Sequence, residues 1–192
     1  MTKDKGILIK NIYYMLSYAF SALRESAYED IQKENFENIH NLFAAILSRG
    51  IGLQLKRGLY MEYIDRTEDL SVVRGKINIP GTLRRRAEQK LYVTCEHDEL
   101  SENNLFNQIL KSTVSLLLRE SDVEEKYKKE LKREMLYLAS VDTISLVNVK
   151  WNHIRFQRNN RSYRMLLAVC QLLAEGVLLT TEAGDFRLAT YI

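Results

Sequence analysis

The chain has 192 residues, of which 46% are hydrophobic and 28% charged, and its formal net charge is +3. This balance excludes a disordered tail and is typical of one globular domain, or of two small ones, with a buried core. One proline and eight glycines leave few chain breakers, so long helices are expected and a β-sandwich with many turns is disfavoured.

The two cysteines, Cys95 and Cys170, are far apart in the sequence, which excludes a CxxC zinc site and a disulfide framework and favours reduced thiols. The amino-terminal residues lack the apolar run of an export signal. The longest apolar stretch, residues 165–179, is interrupted by Gln171 and Glu175 and is shorter than the roughly 20 residues that span a bilayer. We therefore expect a cytoplasmic protein with no membrane span.

Hydrophobic spacing predicts two helices in the first sixty residues. Residues 11–23 have apolar side chains three or four positions apart, with Asn11 as the N-cap. From Ile39 to Leu47 the apolar positions share one helical face, until Gly50 and Gly52 weaken the helix near its end.

In the middle third the apolar period changes to two. Residues 59–79 are predicted to form a β-hairpin with a charged turn at residues 65–69, ended by Pro80 and Gly81. A short basic helix is expected at residues 82–89 and a further strand at residues 91–95.

Three more helices are predicted in the second half. The first begins after Asn103 or Asn104, and the second follows Asp122, which has Glu125 three residues on, as in a capping box, and runs to about residue 138. Its face rich in Lys and Glu is interpreted as solvated. The third covers residues 163–173, and Gly184 with Asp185 can turn a terminal hairpin.

These elements predict an α+β fold that is mainly helical, with about five helices and a small antiparallel β-element in the middle third. The helical body is expected to comprise residues 1–56 and 101–179, the β-rich element residues 57–100, and the terminal hairpin residues 180–192.

A metal-dependent nuclease would need an acid followed by Asp/Glu-x-Lys at the end of a buried strand. The string Glu88-Gln89-Lys90, preceded by Asp69, is a weak candidate, because it follows an arginine triplet and its carboxylate is expected to pair with arginines. Other ExK strings fall on a charged helix, where they arise by chance. Histidines are isolated and glycines form no phosphate-binding loop, so no metal or cofactor is expected in this chain.

Two further charged stretches remain open to interpretation. Residues 150–164 contain no acid and interleave aromatic residues with Lys150, Arg155, Arg158, Arg161 and Arg164. They can bind DNA phosphates, or pair with acids of this chain or of a protein partner. In the string 95–104, a structural role is predicted for Asp98, Glu99 and Asn103, and for Asn107 beyond it, with Asp98, Glu99 and Ser101 capping the following helix.

Three ordered segments resemble the McrC family. They are KNIYYMLSYA at residues 10–19, VRGKI at 73–77 with TLR at 82–84, and DELSEN at 98–103 with NQILKST at 107–113. A weaker likeness at residues 163–170 extends the resemblance across nearly the whole chain. It implies a subunit of a modification-dependent restriction system, which joins an McrB-like AAA+ GTPase hexamer, with GTP and Mg²⁺ in that partner, and stimulates its NTP hydrolysis.

In that family the amino-terminal part engages the ring, and a carboxy-terminal PD-(D/E)xK domain cuts DNA bearing modified cytosine. This sequence ends before any such motif, so we expect a regulatory and interaction module without the nuclease domain. We assign the ring-engaging surface to Arg74, Lys76, Arg84, Arg85 and Arg86. An independent DNA-binding module and a minimal nuclease using Asp69, Glu88 and Lys90 are the alternatives.

Overall fold

The structure, a computed structural model, describes Tyr14, Leu16 and residues 29–34, 36 and 38–182. The chain forms two compact units, the helical unit (Met1–Tyr60 with Leu105–Ile192) and the sheet unit (Met61–Asn104). The helix predicted at residues 11–23 lies almost entirely outside the described residues, and so does the terminal turn at Gly184 and Asp185.

Six helices and a three-stranded antiparallel sheet in the described residues confirm the predicted α+β class, with its small β-element in the middle third. None of the described helices has the combination of length and apolarity that a bilayer crossing requires. In chain order the elements are α1 (Glu29–Lys33), α2 (Ile39–Arg57), β1 (Glu62–Leu70), β2 (Lys76–Ile77), α3 (Ile79–Ala87), β3 (Val93–Ser101), α4 (Leu105–Arg119), α5 (Glu125–Tyr137) and α6 (Tyr163–Glu182).

The core of the helical unit lies between α2, α4, α5 and α6, where apolar side chains at helical spacing face one another. Helix α2 continues to Arg57 instead of weakening at Gly50 and Gly52 as predicted. A Cβ at Gly50 would overlap the Leu166 side chain of α6. Glycine at this position therefore lets two helices approach closely, and the packing outweighs its low helix propensity.

Helix α5 has its N-cap two residues after the predicted cap at Asp122. Its N-cap is Glu124, which has no side-chain capping bond of its own. The side chain of Asn41 in α2 holds Glu124 in place instead. Its Oδ1 accepts from the Glu124 backbone N at 2.9 Å, and its Nδ2 donates to Glu124 Oε1 at 2.6 Å. The predicted capping box is therefore wrong, since a tertiary contact fixes the start of α5.

The predicted hairpin at residues 59–79 is also wrong in its pairing. Strand β1 runs straight through residues 65–69, where the turn was expected, and pairs along its whole length with β3, from Glu62 opposite Ser101 to Leu70 opposite Val93. Strand β2 pairs with the other side of β3, so the order is β1-β3-β2. Pairing of β1 with β3 over nine positions is more favourable than pairing with β2, which has only two residues.

The predicted short basic helix is present as α3, but it begins earlier, at Ile79. Asn78 is its N-cap and accepts from the Gly81 backbone N at 2.8 Å. Pro80 lies in the first turn, where its missing N–H leaves no hydrogen bond unmade. The residue expected to end a strand therefore helps to start a helix.

Candidate functional site

The sheet unit exposes many large apolar side chains. Helix α3 has no buried residue. Its Ile79 and Leu83, four residues apart and therefore on one helical face, are 65% and 62% exposed. We call the following set the apolar surface of the sheet unit: Tyr63, Val72, Val73, Ile77, Ile79, Leu83, Leu91, Tyr92 and Leu100. Exposed apolar surface of this kind is typical of protein interaction sites.

Gly75 is needed for the sheet itself. Its φ of 71° is in the left-handed region, and a Cβ there would overlap the Glu96 carbonyl oxygen and lie 2.8 Å from His97 Cβ. The close approach that Gly75 permits is therefore to strand β3. Because this conformation interrupts the extended backbone before β2, Arg74 and Lys76 do not lie on one continuous strand face, although they are only two positions apart.

Arg74 and Lys76 are both exposed, and no carboxylate of the described residues lies within ion-pair distance of either. Glu62, an acid of the same sheet, lies on β1 opposite Ser101, with β3 between β1 and β2. It is therefore not an ion-pair partner of either cation. Glu96 does stand opposite Lys76, but its Oε1 accepts from Asn78 Nδ2 at 2.5 Å.

The three arginines of α3 differ in their contacts. Arg85 Nε donates to Asp69 Oδ2 at 2.7 Å, and its Nη1 donates to Glu88 Oε2 at 2.9 Å. Arg84 Nε lies 3.6 Å from Glu88 Oε1. Arg86 is exposed, and within the described chain it has no acid at ion-pair distance. Arg85 therefore connects α3 to Asp69 of β1 within the sheet unit, whereas the charge of Arg86 is exposed to solvent.

Asp69, Glu88 and Lys90, the weak nuclease candidates, lie in one ion-pair network around Arg85. Lys90 Nζ is 3.2 Å from Glu88 Oε2, and Thr94 Oγ1 donates to Asp69 Oδ1 at 2.6 Å. The hydrogen bond from Thr94, followed by that from Arg85, lowers the pKa of Asp69, and bonds from Arg85 and Lys90 lower the pKa of Glu88. A metal ion would have to displace Arg85 to reach both carboxylates.

Asp98 and Glu99 do not cap α4 as predicted. Asp98 and Glu99 lie inside β3, and Glu99 Oε2 is 3.1 Å from Arg66 Nε of β1. Ser101 instead makes the local bonds before α4, because its Oγ accepts from the Asn103 backbone N at 3.1 Å. Nowhere in the described ranges do three His, Cys, Asp or Glu side chains form a group that could hold a metal ion.

Asn107 lies in the core of the helical unit, fully buried. Its Nδ2 donates to the Tyr60 carbonyl at 2.9 Å, and its Oδ1 accepts from the Tyr163 hydroxyl at 2.9 Å. The contacts are those of a structural residue.

Lys150 and the four arginines after it lie between α5 and α6, within the helical unit. Lys150, Arg155, Arg158, Arg161 and Arg164 are all exposed. No described carboxylate lies within ion-pair distance of any of them. Within the described residues, this charge is therefore not neutralised by ion pairs.

Glu134 was missed, because the Lys- and Glu-rich face of its helix was interpreted as solvated. It is only 5% exposed. Its Oε1 accepts from Ser48 Oγ at 3.0 Å, whereas its buried Oε2 has no partner. Burial raises its pKa to about 8. The available signal was the helical spacing of Tyr127, Leu131, Glu134 and Leu138, all of which are buried.

Glu134 also lines a cavity of about 210 Å³ in the helical unit. Ser48 Oγ lies 3.0 Å from Glu130 Oε2 as well as from Glu134. The hydroxyl has one proton for two carboxylates, so a proton on Glu134 relieves both their repulsion and their competition for Ser48.

Comparisons with known proteins agree on one family. A family model described as "McrBC 5-methylcytosine restriction system component" matches residues 3–190. The chain is 25% identical over 181 residues to the Type IV methyl-directed restriction enzyme EcoKMcrBC of Escherichia coli (strain K12), covering 94% of this chain and 52% of that relative. The chain thus spans about half the length of the curated relative it matches.

Two solved structures from Thermococcus gammatolerans have a similar fold. The first is a cryo-EM structure of its McrBC complex, with a TM-score of 0.69 and 23% identity, covering 86% of this chain and 50% of that chain. The second is a half-complex from a tetradecameric assembly of McrB AAA+ hexamers with bound McrC. Its TM-score is 0.63 at 23% identity, and the match covers 77% of this chain and 36% of that chain.

Proposed function

Because the chain belongs to the McrBC 5-methylcytosine restriction system component family, we propose that it is the part of an McrC-like subunit that binds an McrB-like AAA+ hexamer and stimulates its NTP hydrolysis. GTP and Mg²⁺ would be bound by the ring, and DNA cleavage would belong to a separate nuclease domain or subunit. One of the structures with a similar fold contains McrB hexamers with bound McrC, which supports the choice of partner.

The observation that favours ring binding is the exposure of the sheet unit. Of the 17 large apolar side chains exposed in the described residues, 10 lie within Met61–Asn104, a minor part of the chain. Such a surface promotes aggregation unless a partner covers it. We therefore assign the contact with the ring to the apolar surface of the sheet unit.

Unpaired cations on the same unit fit this assignment. Arg74, Lys76 and Arg86 are exposed and have no acid at ion-pair distance among the described residues. Protein interfaces combine an apolar centre with a polar rim, and complementary charge at the rim speeds and orients association. Acidic side chains of the ring, or the phosphates of its bound nucleotide, would be the matching groups.

Ring binding is tested with an McrB-like AAA+ protein, recognised by its GxxxxGK[ST] motif, and with the variants Ile79→Ser and Leu83→Ser. Removing one such contact should weaken the complex about tenfold or more, measured as the Kd in the presence of GTP. Leu136→Ser is the matched control, because Leu136 is 75% exposed but lies in the helical unit. Unchanged affinity of both sheet-unit variants would contradict the assignment.

A further inference from the structure

We infer that the segment of residues 150–164 is a binding site for the phosphate backbone of DNA, separate from the ring-binding surface. It has five cations and no Asp or Glu over fifteen positions. The described residues provide no carboxylate within ion-pair distance of these cations. Surface arginines without partners repel one another, so this arrangement destabilises the free protein and favours an anionic ligand.

The segment is anchored to the helical unit by its other side chains. Trp151 and Ile154 pack against the hydrophobic core. The ring of Phe156 meets the edge of Phe106, with centroids 5.9 Å apart and an interplanar angle of 79°. The cations between these anchors are therefore held on an ordered backbone. Binding a ligand here costs less conformational entropy than binding to a mobile tail would.

The carboxy-terminal part of the segment is fixed in the same way. Asn160 is buried, and its Oδ1 accepts from the Gln157 backbone N at 2.6 Å. Ser162 Oγ donates to Gln54 Oε1 of α2 at 3.1 Å. Arg161 and Arg164 stand one turn apart, since the Arg164 N donates to the Arg161 carbonyl at 3.1 Å. Asn160 is thus buried and Ser162 is bonded to α2, while the guanidinium groups of Arg161 and Arg164 remain exposed.

The chemistry of the segment fits phosphate better than an acidic protein. Four of the five cations are arginines, whose planar guanidinium donates two parallel hydrogen bonds to a phosphate group. Protein interfaces are depleted of charge at their centre, whereas a duplex presents a continuous row of phosphates to the cations spread along this segment. Exposed Asn148, Asn152 and Asn159 add neutral donors of the kind that also contact DNA backbones.

The test measures fluorescence anisotropy of a labelled duplex of about 30 base pairs with the full 192-residue chain, in salt from about 50 to 200 mM. Each contacted phosphate contributes about 0.9 to the slope of log Kd against log salt, so four arginine contacts give a slope between about 3 and 4. Each single Arg→Gln change should lower the slope by about 1.

The combined Gln variant of Arg155, Arg158, Arg161 and Arg164 should lose nearly all of this slope. The matched control replaces Lys128, Lys129, Lys132 and Arg133 of α5 by Gln, which removes the same net charge from another face and should leave the slope unchanged. Wild-type protein without salt-dependent binding, or an equal loss in both quadruple variants, would overturn the inference. So would a four-arginine variant that still binds DNA but no longer binds the AAA+ ring, because the segment would then be a protein contact.

Discussion

The Tyr163 hydroxyl of α6 donates a hydrogen bond of 2.9 Å to Asn107 Oδ1 of α4 inside the helical unit. The same hydroxyl accepts from the Tyr60 backbone N at 3.0 Å, and Asn107 Nδ2 donates to the Tyr60 carbonyl at 2.9 Å. Two helices thereby fix both backbone polar groups of Tyr60, the last residue before the sheet unit. Removing either side chain breaks two of these three bonds.

Tyr163→Phe should lower the free energy of unfolding by about 1–3 kcal/mol, because it removes one buried and one partly buried hydrogen bond and keeps the aromatic ring. The ring contacts with Tyr60 and Phe106 would remain. Urea titration followed by circular dichroism measures the change. Tyr137→Phe is the control, since Tyr137 is 63% exposed, and equal losses in the two variants would show that the buried bonds add no stability.

Stability should fall as the pH rises through the neutral range, because of Glu134. Burial raises the pKa of its carboxyl from the ordinary 4.5 to about 8. The folded state therefore favours the protonated form, and the stability it contributes is fully present below about pH 4.5 and is lost as the pH rises toward 8. The slope cannot exceed about 1.4 kcal/mol per pH unit for one group.

Glu134→Gln has no proton to lose, so its unfolding free energy should be nearly constant between pH 5 and pH 8 and exceed that of wild type at the upper end of this range. Chemical denaturation at several pH values measures both chains. Glu125→Gln on the same helix removes an exposed acid and should follow the wild-type profile. A wild-type curve as flat as that of Glu134→Gln over this range would show that Glu134 is already ionised in the folded protein.

The purified chain should leave DNA intact in the presence of Mg²⁺ or Mn²⁺. Asp69 and Glu88 share Arg85, and Lys90 bonds to Glu88, so the groups that a nuclease would use for metal and water are already paired with one another. Agarose gels of supercoiled plasmid give the measurement. Cleavage that disappears in Glu88→Ala would establish the minimal nuclease instead.

Arg74→Ala and Lys76→Ala should stimulate hydrolysis by the AAA+ partner less than wild type does. Both cations are exposed without an acid at ion-pair distance in the described chain, and a cation placed near a ring's nucleotide stabilises the charge that develops on the transferred phosphate. We expect a loss of about tenfold or more in kcat for the more important of the two.

The readout is the NTP hydrolysis rate at saturating chain, with complex formation and melting temperature checked for each variant. Arg57→Ala serves as the control, because Arg57 is an exposed arginine at the end of α2, outside the sheet unit. If both variants bind normally and stimulate hydrolysis as well as wild type, neither Arg74 nor Lys76 acts at the nucleotide site, and their role is in binding or in the fold.

The sequence by itself determined where α2, α4 and α6 lie and that residues 150–164 carry positive charge without acids. A helical apolar stripe such as that of Ile39 to Leu47 is a property of contiguous residues, so its burial follows from the pattern alone. The absence of acids between Lys150 and Arg164 likewise excludes local ion pairs without any knowledge of the fold. The ordered segments that resemble McrC are also local strings, and the family match confirms the family they indicated.

Only the tertiary structure decided which strands pair and which polar groups are buried. Strand β1 pairs with β3, which begins more than twenty residues later, and not with the adjacent residues 71–79. The free energy of pairing depends on the length and the side-chain fit of both strands, so it cannot be read from one strand alone. Asn41 fixes the start of α5 across 83 positions, and Ser48 meets Glu134 across 86. Helical spacing with Leu131 and Leu138 could indicate that Glu134 is buried, but its partner Ser48 is too distant in the sequence for any local pattern to identify.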